Sequence, residues 1–365
     1  MSETLRTPLY DTHVALKARM VPFGGWDMPV QYEGILAEHE QTRKRAAVYD
    51  ICHMGEFELT GPTAEADLNR LLTMNVPAIT FGQAKYGFLL DDEGGVIDDL
   101  TCYRLGPQRF FLVVNAGTRV GDRAWIESRL SPTTRFEDLS DRTGKLDVQG
   151  PDSRAALEEI FGVKLPDLGY FKSVETTLGG VPMLLSRTGY TGEWGYELYF
   201  DIGKTVGLWN TIIASGRVKP AGLGARDTLR LEVGYPLYGH ELGRGRTPVA
   251  AFRGMFIDMT KDFTGKPACA RDIANGCPQY LCGLKLESKR AARQGDAVVD
   301  AAGRRVGEVT SGSVGPSLGI AIAMAYVDAA LTAPGTALAV DVRGTALPAR
   351  VVPLPFYTEG TARKK

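Results

Sequence analysis

The chain has 365 residues, of which 44% are hydrophobic and 23% are charged. Single hydrophobic cores stop growing at roughly 250–300 residues, so we expect more than one domain. The composition is ordinary for a globular protein and indicates neither disorder nor a fibrous architecture. The net charge of -1 gives no electrostatic reason to expect nucleic acid or an anionic membrane, so small molecules or neutral partners are favoured.

The sequence offers no segment suited to crossing a membrane. The longest strongly apolar run, Ile320 to Val327, is far shorter than the roughly 18 residues of a spanning helix. The residues from Met1 to Tyr10 lack the apolar core of a signal peptide. We therefore expect a cytoplasmic protein.

The cysteines and histidines are dispersed along the chain. The five cysteines are odd in number and contain no pair at the spacing of a metal knuckle, so we expect reduced thiols with packing roles. The four histidines form no HExxH motif. The sequence therefore predicts no metal site.

The first part of the chain contains a turn-rich segment and two predicted helices. Glycines, prolines and aromatic residues from Val21 to Val30 are typical of a fixed, packed turn. A helix is predicted from Gly34 to Ala47. A second is predicted from Thr63 to Met74, where apolar residues recur at helical spacing, with Thr63 as the N-cap and Glu65 in the first turn. This second helix is expected to pack on a sheet.

Strands dominate the middle of the chain. Three runs separated by short, turn-rich joints predict an antiparallel meander, over Tyr86 to Leu90, Val96 to Leu105 and Phe110 to Val114. A further strand pair is predicted over Pro182 to Arg187 and Tyr196 to Phe200, with a helix near 204–214. The first two-thirds of the chain is therefore of the α+β class.

The pattern changes after a boundary that we expect near Cys277 to Tyr280. From there on, short strands alternate with glycines and prolines, which is typical of a small all-β barrel or sandwich. The six predicted strands are Leu281 to Leu286, Ala297 to Val299, Arg305 to Val309, Ile320 to Val327, Ala337 to Val342 and Ala349 to Leu354.

Asp98 and Asp99 are the first candidates for catalysis. Successive side chains of a strand point to opposite faces, so only one of the two can share a given pocket. Asp98 falls on the face of Leu100 and Cys102, where a carboxylate is costly unless it is hydrogen-bonded, paired with a ligand or shifted in pKa. Asp98 is therefore the better candidate. The alternative is that one aspartate binds turn amides and the other is solvated.

Two further segments carry candidate binding residues. Arg187 to Glu197 combines glycines, aromatic residues and acids, which would let backbone approach a flat ligand while a carboxylate accepts two parallel hydrogen bonds. The alternative is a decorated hairpin. Gly222 to Glu232 lacks the third glycine of a dinucleotide loop. Its Arg226 is suited to hold a carboxylate or carbonyl oxygen. The alternative is a surface cluster of ion pairs formed by Arg226, Asp227, Arg230 and Glu232.

Together these segments resemble the aminomethyltransferase (T-protein) family of the glycine cleavage system. No single motif is decisive, but their order along the chain is that of the family. The matching stretches are Leu9-Tyr10 with His13, Val21 to Trp26, Pro29 to Tyr32, His53 to Glu56, Gly94 to Leu100, Val113 to Ala116, Thr188 to Glu197, Gly222 to Glu232, Val309 to Gly312 and Leu354 to Tyr357.

The resemblance implies a three-domain cloverleaf around a central folate-binding hole. Residues 1–277 would form a folate-binding α+β region of two interleaved domains, the smaller at roughly 52–140. Residues 278–365 would form the C-terminal β-barrel. The implied reaction moves the carbon of an aminomethyl group from the dihydrolipoyl arm of the H-protein to tetrahydrofolate, giving 5,10-methylenetetrahydrofolate and ammonia.

The resemblance also assigns residues. Asp98 matches the catalytic aspartate near folate N10, and a buried anion there can orient the nitrogen and stabilise an iminium-like carbon. Glu197 matches the acid that binds the pterin ring. The remaining positions that line or hold the folate site are Tyr86, Asn115, Tyr190 and Arg226.

Three positions depart from the family pattern. Cys52 stands where serine is usual, which we expect to change packing only. Trp194 replaces a small or acidic residue. The stretch 238–248 contains extra arginines where an acidic stretch is common, and this could alter H-protein docking or the carbon donor.

Two other functions remain open. A free-standing folate-dependent demethylase of the same fold is one, because the donor pocket cannot be read from the sequence. A non-catalytic folate-binding protein is the other, although the Lys-Gly-Cys-Tyr motif of such relatives is not found here. A fused oxidase is disfavoured because no flavin-binding glycine fingerprint is present.

Overall fold

The computed structural model describes residues 4–364. Within this range the chain forms eight α-helices: α1 (Tyr10–Ala15), α2 (Ile35–Lys44), α3 (Ala64–Leu71), α4 (Arg119–Glu127), α5 (Ser153–Phe161), α6 (Thr205–Ala214), α7 (Leu223–Glu232) and α8 (Lys266–Asn275). None of these helices combines the length and the apolar composition that a membrane crossing requires.

The strands fall into two groups along the chain. The first two-thirds contains β1 (Leu5–Arg6), β2 (Arg19–Phe23), β3 (Trp26–Gln31), β4 (Ala47–Asp50), β5 (Gly55–Thr60), β6 (Gln83–Leu90), β7 (Val96–Gly106), β8 (Arg109–Val114), β9 (Arg135–Asp138), β10 (Thr143–Gln149), β11 (Ser173–Leu178), β12 (Val181–Ser186), β13 (Gly195–Asp201) and β14 (Lys219–Pro220). The last third contains β15 (Gln279–Leu286), β16 (Ala297–Val299), β17 (Arg305–Gly315), β18 (Ile320–Asp328), β19 (Ala337–Val342) and β20 (Thr345–Val352).

The predicted helices α2 and α3 are present but shorter than expected. α2 ends at Lys44 because the residues from Ala47 pair with β10 as strand β4. Thr63 occupies the N-cap position of α3 without capping it, since its hydroxyl is hydrogen-bonded with those of Thr133 and Thr134. Tertiary contacts therefore set both helix ends.

A six-stranded sheet has the order β11-β12-β13-β10-β4-β14. The predicted strand pair is confirmed as β12 and β13, which are antiparallel. Trp209 and Ile212 of α6 and Leu157 of α5 pack on apolar side chains of this sheet. Burial of each such side chain contributes about 1.5–3 kcal/mol, so the helices hold the strands that carry candidate site residues.

A five-stranded antiparallel sheet has the order β6-β7-β8-β5-β9. Its strands β6, β7 and β8 are the predicted meander, which is confirmed. Leu68 and Leu71 of α3 are buried against the sheet with Phe57 and Leu112, so the expected packing of this helix is also confirmed. A small three-stranded sheet, β1-β3-β2, contains the predicted turn around Gly24.

The C-terminal strands close into a barrel with the order β15-β18-β17-β16-β19-β20. All six predicted strands are present, and Leu284, Val309 and Val340 are buried in its apolar core. Gly307 permits a close approach of β17 to β18, because a Cβ atom there would lie 2.2 Å from the carbonyl oxygen of Tyr326. The predicted α+β class with a C-terminal barrel is confirmed.

Buried ion pairs of Arg43 connect segments that are far apart in the chain. Arg43 of α2 donates to Glu193 at 2.8 Å and to Glu232 of α7 at 2.9 Å. Its guanidinium also lies 4.2 Å from the ring centroid of Tyr357 in the C-terminal segment. Such buried pairs are costly to break from one side, so this arginine fixes α7 relative to the segment that precedes β13. The division at residues 277/278 and the interleaved domain at 52–140 remain predictions.

Candidate active site

A cavity of about 1600 Å³ lies where the five-stranded and six-stranded sheets, α7 and the C-terminal segment meet. Five of the six residues predicted from the sequence line it. They come from β6, the end of β8, the 187–197 segment, β13 and α7, and they are Tyr86, Asn115, Tyr190, Glu197 and Arg226. The fold thus brings together residues that are far apart in the chain.

The aspartate that faces the cavity is Asp99, not Asp98. Asp99 lines the cavity, whereas Asp98 has no exposed surface and lies behind the wall. The alternation of side chains along β7 correctly predicts that Asp98 lies on the more buried face. Burial alone does not show which face meets a ligand. Asp98 does not line this cavity, and its predicted catalytic role remains a prediction.

Asp99 is held by two neighbours that also line the cavity. The hydroxyl of Tyr86 donates to Asp99 Oδ2 at 2.8 Å, and the side-chain amide of Asn115 donates to Oδ1 at 3.0 Å. Burial and then the neighbouring charge of Asp98 raise the pKa of Asp99 to about 7. A carboxyl group with this pKa can accept or return a proton near neutral pH.

Asp98, behind the cavity wall, is hydrogen-bonded to the same asparagine, Asn115. It accepts hydrogen bonds from the backbone N–H of Asn115 at 2.9 Å and from its side-chain amide at 2.8 Å. Burial, followed by the charge of Asp122, raises the pKa of Asp98 well above its ordinary value. Two neighbouring buried carboxyl groups do not both ionise readily, and of these two only Asp99 lines the cavity.

Glu197 forms a second polar centre in the cavity. Its Oε1 lies 3.0 Å from the ammonium of Lys145, and its Oε2 accepts hydrogen bonds from Thr188 and Tyr199. Burial opposes ionisation of Glu197, but the charge of Lys145 and the hydrogen bond from Thr188 outweigh it and lower the pKa. Glu197 is therefore an anion in the cavity wall that could accept hydrogen bonds from a ligand.

Arg226 enters the cavity from the first turns of α7. Its guanidinium donates to Asp147 Oδ2 at 2.5 Å and lies 5.0 Å from the ring centroid of Tyr190. The hydroxyl of Tyr190 donates to the carbonyl of Pro236. Arg226 is therefore not part of a surface cluster of ion pairs, and its orientation is fixed by a buried carboxylate.

The rest of that suspected surface cluster is also mostly buried. Arg230 pairs with Glu241 at 2.9 Å and with Asp227 at 2.8 Å. Glu232 pairs with Arg43. These ion pairs belong to the packing around α7, which carries Arg226 into the cavity.

The sequence reasoning missed several residues of the cavity wall. Lys145 and Tyr199 come from neighbouring strands of the six-stranded sheet, and Tyr357, Thr358 and Arg363 come from the C-terminal segment. A single lysine in a strand gives no sequence signal of this role. Tyr357 lies in the matching stretch Leu354 to Tyr357 but was given no site role, and Thr358 and Arg363 carry no sequence signal, because only the fold brings them to the cavity.

The departures noted in the sequence lie near the site. Cys52 is buried, and its thiol is within hydrogen-bonding distance of both the N–H and the carbonyl of Lys145, at 3.2 Å and 3.3 Å. The indole of Trp194 stacks on Arg187, with 3.3 Å from the guanidinium carbon to the ring centroid. Arg246 lies over the ring of Tyr326 at 3.5 Å. Each departure is therefore accommodated by local packing.

An α+β region with a large cavity that contains several charged side chains, followed by a closed barrel, is typical of a class of small-molecule-binding enzyme folds. Comparison with known families identifies the family within this class. Residues 9–261 match the model of the GCVT N-terminal domain. Residues 280–358 match the glycine cleavage T-protein C-terminal barrel domain.

Individual relatives agree over nearly the whole chain. An aminomethyltransferase of Saccharopolyspora erythraea is 42% identical, covering 98% of this chain and 99% of its own. One from Moorella thermoacetica is 43% identical with the same coverage. The crystal structure of glycine cleavage system aminomethyltransferase T from Bartonella henselae superposes with a TM-score of 0.94 at 33% identity, covering 98% of this chain and 99% of that chain. The chain belongs to the glycine cleavage T-protein family, which confirms the predicted resemblance.

Proposed function

We propose that this protein is a tetrahydrofolate-dependent aminomethyltransferase of the glycine cleavage system. The observation that carries the proposal is the pair of acidic centres in one cavity, Asp99 at one wall and Glu197 at another. Asp99 can take part in proton transfer near neutral pH, while Glu197 stays ionised as a binding group. Separate carboxyl groups with separated pKa values are typical of sites that divide catalysis from binding.

Tetrahydrofolate is the proposed co-substrate. Its pterin ring presents adjacent N–H donors, which the two oxygens of Glu197 can accept. Tyr190 of the 187–197 segment and Arg226 of α7 would also contact the folate. With the pterin at Glu197, the N10 end of the folate would lie at the other polar group of the cavity wall, formed by Asp99, Tyr86 and Asn115.

The proposed reaction is a transfer of one carbon. The C–N bond of the aminomethyl group breaks and releases ammonia, the C–S bond to the dihydrolipoyl arm breaks and returns a thiol, and two C–N bonds form to folate N5 and N10. The two hydrogens that leave N5 and N10 balance those gained by the thiol and the ammonium ion. Asp99, rather than Asp98, is the proposed catalytic carboxyl group, because it can orient N10 and stabilise the iminium-like carbon.

Asp98 and Asn115 are proposed as positioning residues. Asn115 donates to both aspartates, so it fixes their separation. Because burial raises the pKa of Asp98 well above its ordinary value, Asp99 is the carboxyl group proposed to carry the negative charge at the cavity wall.

The proposed partner is the lipoylated H-protein, whose swinging arm would deliver the aminomethyl group to the cavity. We further propose a cytoplasmic location and a role in glycine catabolism and one-carbon metabolism. These proposals draw on family membership and on the size of the cavity, which has room for both a folate and a lipoyl arm.

A donor comparison tests this function. Aminomethylated, lipoylated H-protein and tetrahydrofolate should give ammonia and 5,10-methylenetetrahydrofolate in equal amounts. Small methoxy and sulfonium compounds are offered in parallel, with 5-methyltetrahydrofolate as the product to detect. Turnover with the small donors but not with H-protein would contradict the proposal and indicate a demethylase. Folate binding without turnover of any donor would indicate a non-catalytic binding protein.

A further inference from the structure

Lys145 is a buried cation in the wall of the cavity. Its side chain is only 1% exposed, and its ammonium lies 3.0 Å from Glu197 Oε1. It stands on β10 directly across from Tyr199 of β13, while Asp147 stands across from Glu197. The ammonium therefore reaches Glu197 along the diagonal of this cross-strand square, where long side chains can meet.

The ammonium has hydrogen-bonding capacity left over. A lysine offers three N–H donors and no acceptor. Its other polar contact in residues 4–364 is with Met54 Sδ at 3.2 Å, and a thioether is a weak acceptor. A buried ammonium is costly unless its donors are used. Since Lys145 lines the cavity, the unused donor capacity is available to a bound molecule.

Side by side, Glu197 and Lys145 present a specific pattern to a ligand. The two carboxylate oxygens are acceptors and the ammonium is a donor, so the order along the wall is acceptor, acceptor, donor once a ligand replaces a hydroxyl of Thr188 or Tyr199 at Oε2. The edge of a 2-amino-4-oxo-pteridine presents the complementary order, with the 2-amino group and N3–H as donors and the 4-oxo oxygen as acceptor. A 4-amino-pteridine mismatches twice, because N3 loses its hydrogen and the 4-amino group becomes a donor facing the ammonium.

We propose that Lys145 is a specificity-determining residue that donates to the 4-oxo oxygen of the pteridine and discriminates against 4-amino analogues. This inference rests on the proposed function, since it requires the pteridine to bind at Glu197. A site built to hydrogen-bond one group rejects an analogue that leaves its polar groups unpaired. The ammonium adds a repulsive element against the wrong ligand as well as an attractive one for the right ligand.

The test compares two ligands that differ at the 4-position, folic acid and aminopterin, which share the same tail. The wild-type protein should bind folic acid roughly tenfold or more tightly than aminopterin, the factor expected for one hydrogen bond to a charged group. Lys145→Met should reduce this preference to within about threefold. Lys145→Gln should do the same, because its amide can donate to an oxo group or accept from an amino group.

A matched control removes a positive charge elsewhere in the same sheet. Lys219 is on β14, is half exposed and pairs with Glu33 at 3.3 Å. Lys219→Met should retain the wild-type preference. Because the readout is a ratio of two affinities, any general weakening of the site by loss of the Lys145 charge cancels, and Lys145→Gln provides the ratio if Lys145→Met does not fold.

Two outcomes overturn the inference while leaving the proposed function intact. One is wild-type protein that binds 5-methyltetrahydrofolate and folic acid but shows no preference over aminopterin. The other is a preference that both Lys145 variants retain, which would make Lys145 only the counter-ion of Glu197. Wild-type protein that binds neither 5-methyltetrahydrofolate nor folic acid would instead reject the proposed function itself.

Discussion

Replacing Asp99 and Asp98 separately by asparagine should distinguish the two carboxyl groups. Asparagine has the shape of a protonated aspartic acid. Asp98 does not line the cavity, so Asp98→Asn should disturb only the positioning of Asn115 and leave turnover within about tenfold of wild type. Asp99 has a pKa of about 7, so Asp99→Asn removes the form that acts on the folate nitrogen. Turnover should fall by about 10²–10⁴-fold, which corresponds to roughly 2.7–5.4 kcal/mol in the barrier.

The assay is single-turnover formation of 5,10-methylenetetrahydrofolate from aminomethylated H-protein. It is run from about pH 5.5 to about pH 8.5, a range that brackets the pKa of a carboxyl group tuned for catalysis. Asp99 must lose its proton to act, so the wild-type rate should rise as pH increases through about 7 and then level off. Asp99→Asn should lose this dependence and bind folate within about threefold of wild type. Full turnover by Asp99→Asn together with a collapse in Asp98→Asn would show that Asp98, and not Asp99, is the catalytic carboxyl group.

Three other changes test binding and stability. Glu197→Gln should weaken folate binding by roughly tenfold or more, through loss of a charge-assisted hydrogen bond, and an unchanged dissociation constant in a fluorescence titration would contradict the assignment. Burial raises the pKa of Glu56 from 4.5 to about 8, so its stabilising contribution is fully present below pH 4.5 and is lost as pH rises through about 8. Glu56→Gln should therefore flatten the pH dependence of the unfolding free energy by up to about 1.4 kcal/mol per pH unit, and an unaltered slope in urea titrations would count against this shift. Gly222→Ala should destabilise the fold by about 1–3 kcal/mol, because its Cβ would lie 2.4 Å from the carbonyl carbon of Val30. The control Gly207→Ala has open space on helix α6 and should not destabilise.

The fold was predictable where the information is local. The six barrel strands follow from alternation of apolar residues and turn signals, and the meander follows from its short joints. Helix ends were less predictable, because the end of α2 depends on β4 joining a sheet with β10, which lies about a hundred residues later in the chain. Thr63 likewise binds Thr133 and Thr134 instead of its own helix.

The candidate site was partly predictable. The family motifs pointed to five residues that line the cavity, and the alternation of β7 placed Asp98 and Asp99 on opposite faces. Both faces of β7 are extensively buried, so burial in an apolar pattern does not tell which face meets the ligand. Lys145 could not be found because its partner Glu197 lies on a different strand, and only the pairing of β10 with β13 brings them together.

A crystal structure of the complex with 5-methyltetrahydrofolate would show whether folate binds between Glu197 and Asp99. We expect the pteridine edge on Glu197 with Lys145 Nζ next to the 4-oxo oxygen, and N10 within hydrogen-bonding distance of Asp99 or one water molecule from it. A ligand bound outside this cavity, or bound inside it with N10 remote from Asp99 and the pteridine remote from Glu197, would contradict this expectation.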